Sequence, residues 1–109
     1  MSLKEPKFTI GIEEEYHLVD LTSRDLVPEP PATLLSACQA ALAGQVSPEF
    51  LQSQIEVGTR VCSSLQDARA ELAHLRTTVA DVARSHGLAP IAASTHPFAR
   101  WSRLQHTDK

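Results

Sequence analysis

Residues 8–21, FTIGIEEEYHLVDL, set three consecutive glutamates inside a run whose β-branched, aromatic and aliphatic members favour an extended chain. Read as a strand, the run alternates, with Phe8, Ile10, Ile12, Tyr16 and Leu18 on one face and Thr9, Gly11, Glu13, Glu15 and His17 on the other. Glu13 and Glu15 therefore share a face, their Cα atoms roughly 7 Å apart at a strand rise of about 3.3 Å per residue. Like charges so placed repel each other, more strongly if buried, and a shared divalent cation removes the conflict. Gly11 leaves space beside them, as glycine in a strand does where a ligand approaches. Glu14 falls on the apolar face and is expected to be a paired structural residue or a strand-end position, not a ligand. His17 lies on the carboxylate face and could extend the site, though solvation is the expected state. An exposed edge strand defended by charge produces the same alternation.

Outward from this strand, residues 20–25 supply turn formers, and Leu26 and Val27 could return as a short second arm. Prolines at 28, 30 and 31 end any strand there, and a helix follows with Pro31 in its first turn. Its apolar positions are Leu34, Leu35, Cys38, Ala41 and Leu42, and Gly44 is placed to end it near Ala43. A second strand is expected over residues 50–61, carrying Leu51, Ile55, Val57, Thr59 and Val61 on one face. Gln52, Gln54, Glu56, Gly58 and Arg60 occupy the other, a polar face suited to a ligand or to solvent. Ser64 then caps a long helix whose stripe is Leu65, Ala68, Leu72, Leu75, Val79 and Val82, closed by Gly87. Residues 88–94 read as a short buried strand, followed by a polar C-terminal stretch. The order defines an α+β fold: a largely antiparallel sheet with helices packed on one face and the opposite face free.

The chain has 109 residues, 42% hydrophobic and 21% charged, within the range of one domain with a modest core. A net charge of −3 without a clustered basic patch gives no footprint for nucleic acid. Cys38 and Cys62 show no zinc-type spacing and are read as small buried hydrophobes in a reducing, cytoplasmic setting. No apolar run is long enough for a membrane span, so a soluble chain is expected.

Three segments together resemble the N-terminal part of the glutamate–cysteine ligase type 2 family, carboxylate–amine ligases with a glutamine synthetase-like fold. They are residues 11–16, GIEEEY, with Leu18, Val19 and Asp20 after them; residues 49–59, EFLQSQIEVGT; and residues 94–98, STHPF. The resemblance implies that Glu13, Glu15 and Glu56 hold Mg2+ ions that bridge ATP phosphates, and that Glu49 lies near the amino-acid site. Gln54 and Thr59 are expected as neutral donors to substrate, and His96, next to Pro97, is the histidine expected to act as a ligand or substrate contact. Glu49 and Glu56 are seven residues apart and would face opposite ways in one unbroken strand, so Glu49 must lie in an approaching loop or beyond a bulge. The activity implied is ATP-dependent amide formation between an amino-acid carboxylate and an amine through an acyl phosphate. Family enzymes are much longer, so residues 1–109 are expected to form a single domain, an N-terminal fragment with little ligase activity alone. A sticky open face would make that fragment self-associate. The competing reading is a non-catalytic α+β binding or assembly module.

Overall fold

The computed structural model, which describes residues 5–49 and 51–106, contains one antiparallel sheet in the order β2-β3-β1-β4. The strands are β1 (Glu13–Asp20), β2 (Val46–Pro48), β3 (Gln54–Gly58) and β4 (Leu88–Ile91). Two helices, α1 (Ala32–Leu42) and α2 (Leu65–Ser85), cover one face of it. The core lies between: Tyr16 and Leu18 of β1 and Ile55 and Val57 of β3 meet Leu34 and Cys38 of α1 and Leu75, Val79 and Ala83 of α2. The expected α+β architecture, with helices confined to one side, is what forms. Among the described residues no helix is long and apolar enough to cross a membrane.

Local chemistry explains the helix boundaries. The Ser64 hydroxyl accepts from the Asp67 amide at 3.1 Å, and Asp67 puts a negative charge in the first turn of α2. Gly87, with φ of 72°, follows the last turn in the left-handed conformation that glycine adopts without strain. Ala68, Leu75, Val79 and Ala83 form the buried stripe, but Leu65, at the start of the expected stripe, is 70% exposed.

The strands depart from the sequence reading in several places, and the one expected over residues 88–94 reduces to Leu88–Ile91. Continuous pairing of the first strand starts at Glu13, since β3 ends at Gly58 and leaves only an isolated bridge between Ile10 and Cys62 beyond it. Leu26 makes a single bridge to Val19 rather than a strand. Short β2 lies between the end of α1 and Pro48, and the positive φ at that end falls on Ala43 (52°), not on Gly44. The strand expected over 50–61 reduces to Gln54–Gly58; its proposed start at Phe50 lies outside the described residues. The face opposite the helices is not free as expected: residues 92–106 cross part of it, tied there by a bridge from Leu51 to His106 and by the Gln52 backbone amide donating to the Gln105 carbonyl at 2.8 Å.

Candidate metal centre

In the β1–β3 ladder Glu15 stands opposite Glu56, Glu13 opposite Gly58 and His17 opposite Gln54. Cross-strand partners point to the same side of a sheet, so these residues form one surface, facing away from the helices. On the other edge of β3, Ser47 of β2 pairs with Glu56. Glu49 lies two residues after Ser47 and so returns to that surface as a diagonal neighbour of Glu56. The seven-residue spacing from Glu49 to Glu56 is resolved here: a chain reversal, not a continuous strand, separates them.

The outcome is a convergence of carboxylates. Glu15, Glu49 and Glu56 each present an oxygen, and all three oxygens lie within 4.8 Å of one another. Glu13 lies outside this group, beside Gly58, where a side chain at 58 would meet its Cγ at 3.8 Å. Its charge is nevertheless felt. Glu56 is pushed up to about 7, first by a hydrogen bond with Glu49, then by burial, then by the charges of Glu13, Glu49 and Glu15. No arginine or lysine forms an ion pair with Glu13, Glu15 or Glu56 among the described residues; the ion pairs present use Glu14, Asp25 and Asp81. An all-oxygen, anionic donor set whose members oppose one another's ionisation suits a hard divalent cation such as Mg2+, and the residues present therefore fit one.

The other sequence-predicted residues lie around this group. The Thr59 hydroxyl accepts from the Ile12 amide at 2.9 Å, fastening the loop after β3 to the entry of β1. The Gln54 amide nitrogen is 3.4 Å from Nε2 of His17. His96 commits both ring nitrogens to backbone: Nδ1 accepts from the amides of Phe98 and Ala99, and Nε2 donates to the Arg24 carbonyl at 2.9 Å. That gives the ring the work of shaping the 94–99 turn, with no ring nitrogen left over for a ligand.

His17 corrects the sequence reading. It is only 3% exposed, with Nε2 at 3.1 Å from the Ser94 carbonyl, because residues 92–106 fold over this end of the sheet. Nothing in the local pattern signals a cover that arrives 77 residues later. Glu14, by contrast, has the partner its position demands. Arg76 of α2 grips both of its oxygens, and Tyr16 donates its hydroxyl to Oε1 at 2.5 Å. Those Arg76 bonds hold the Glu14 carboxyl below the usual range against the opposing effect of burial. Only an unpaired arginine in the middle of α2 could have signalled this contact.

The fold and site together define an α+β sheet that gathers carboxylates on its helix-free face. Residues 9–109 match the model of glutamate–cysteine ligase family 2, and the chain belongs to that family. It is 61% identical over 102 residues to a protein of Jannaschia sp. (strain CCS1), covering 94% of this chain and 27% of that one. A Rhodospirillum rubrum protein is 55% identical over 111 residues, covering 98% and 28%, and one from Ruegeria pomeroyi 55% over 103, covering 94% and 27%. All three carry the name "Putative glutamate--cysteine ligase 2". The chain spans about a quarter of the length of these relatives.

Proposed function

We propose that this chain supplies the acidic, cation-holding face of an ATP-dependent carboxylate–amine ligase. The observation that carries this reading is the meeting of Glu15, Glu49 and Glu56 on the helix-free face of the sheet. Glu15 and Glu56 would hold Mg2+ from adjacent strands, with Glu13 extending the set along β1 and Glu49 closing it from the end of β2. Magnesium held there would supply charge neutralisation for a polyphosphate and orientation of its terminal phosphoryl group. In the reaction class proposed, a substrate carboxylate oxygen attacks the γ-phosphorus, ADP leaves, and an amine nitrogen then displaces phosphate from the acyl carbon to give an amide. Glutamate and cysteine are the substrates that the relatives' names suggest. Gln54, beside the carboxylates, offers an uncharged amide to substrate, and Thr59 holds the loop that flanks Glu13. Both cysteines are free and buried, which suits a reducing compartment, and the cytoplasm is the proposed location.

Isothermal titration of the full chain with Mg2+, and then with ATP in its presence, tests the reading. Binding should be saturable in the parent and lost in both Glu15→Gln and Glu56→Gln. Equal heats in all three proteins, or none in the parent, would instead assign the face to protein docking.

A further inference from the structure

Glu14, Tyr16 and Arg76 sit on the opposite side of β1 from the candidate cation site, and the mechanism proposed above does not use them. Their placement coincides with a weak stretch of the sheet. β4 pairs with β1 only from His17 to Asp20, so the segment bearing Glu13 and Glu15 has a strand neighbour on the β3 side alone. That neighbour carries Glu56, directly opposite Glu15. Carboxylate repulsion therefore acts across the one ladder that fixes this segment, and no ladder on the far edge opposes it.

The Arg76 grip supplies the missing restraint. Its Nε donates to Glu14 Oε1 at 2.7 Å and its Nη2 to Oε2, a two-point geometry that fixes direction as well as distance. Tyr16, buried among core residues, adds its hydroxyl to the same Oε1, so the carboxylate is held from the helix and from its own strand. Glu14 lies between Glu13 and Glu15 in the chain, and anchoring it fixes where both project.

We infer that Glu14, Tyr16 and Arg76 form a clamp that positions Glu13 and Glu15 for the cation from behind the sheet. They are positioning residues, and the inference rests on the cation-site reading. The sign of one substitution separates this role from simple electrostatics. Removing a positive charge near a cation site should strengthen cation binding if only the field matters. Removing the grip should weaken it if geometry matters, and loss of a supporting contact around a metal site typically costs about 10- to 100-fold in affinity.

The test is Mn2+ titration of the full chain, read as free Mn2+ by electron paramagnetic resonance, with urea unfolding on the same samples. Arg76→Met and Glu14→Gln should each weaken Mn2+ by about 10-fold or more, and Arg76→Lys, which keeps charge without the fork, should fall between. Val79→Ala, a core truncation one turn along α2, should lose stability yet keep parental affinity. Arg76→Met binding Mn2+ as well as the parent or better would overturn the clamp. So would an equal loss in Val79→Ala, which would make the effect one of general stability. A parent chain that binds no Mn2+ would sink the cation-site reading itself, and the clamp with it, a result distinct from the other two.

Discussion

The two faces of the sheet are built from the same strands and meet opposite demands. On the helix face, Tyr16, Leu18, Ile55 and Val57 are packed dry against α1 and α2, and shape decides what is tolerated. On the other, Glu15, Glu49 and Glu56 crowd together with Glu13 nearby, and charge decides. The difference shows that stability is concentrated on one side of a backbone only one residue thick, leaving the other side to carry a group of like charges that contributes repulsion.

The largest test of that division is Leu75→Ala, which removes a fully buried side chain on α2. Urea unfolding should show a loss of about 2–5 kcal/mol, with Mg2+ affinity retained if the faces are independent. Next, Mg2+ at about 100 times its dissociation constant should add about 2.7 kcal/mol to the folded state, and Glu56→Gln should abolish that gain.

The pH dependence sharpens the contrast further. Glu56 holds its proton up to about 7 in the folded chain, against 4.5 in an unfolded one. The folded state thus binds more protons across this window, so the contribution of Glu56 is complete below about 4.5 and disappears as pH rises through 7. Glu14 and Glu71, both held low, act in the opposite direction and only below the ordinary carboxylate range. Urea midpoints of the metal-free chain should therefore decline as pH rises from 4.5 to about 7. Glu56→Gln should flatten the fall and, at the upper end, be more stable than the parent by about 1 kcal/mol once solvent screening is allowed for. The smallest effect should come from neither face: Asp81→Ala removes an exposed pair with Arg84 and should change stability by less than about 0.5 kcal/mol in the same assay.

What the sequence reveals follows the range of the interactions involved. Alternation in β1 and β3 assigns the faces correctly, and the cap at Ser64 and Gly87 bound α2, because each signal lies within a few residues. Glu15 and Glu56 become neighbours through two patterns of period two that happen to be in register. The misses are all long-range or very short. β2 is three residues long, too few to alternate visibly, yet it delivers Glu49 to the cluster. His17 reads as a solvated residue because its cover comes from residues 92–106, and the partner of Glu14 is 62 residues away on α2. Pattern shows which way a side chain points, but not what arrives to meet it.

The edge of β1 that β4 leaves bare has a consequence beyond metal binding. A stretch of strand with open backbone groups invites a stranger's chain to join it, and alternating anions are one of the ways such edges are kept solitary. With those charges removed, the same residues would change from a fence into a template. Glu13→Gln combined with Glu15→Gln should therefore favour ordered aggregation through this edge, even with the folded core intact.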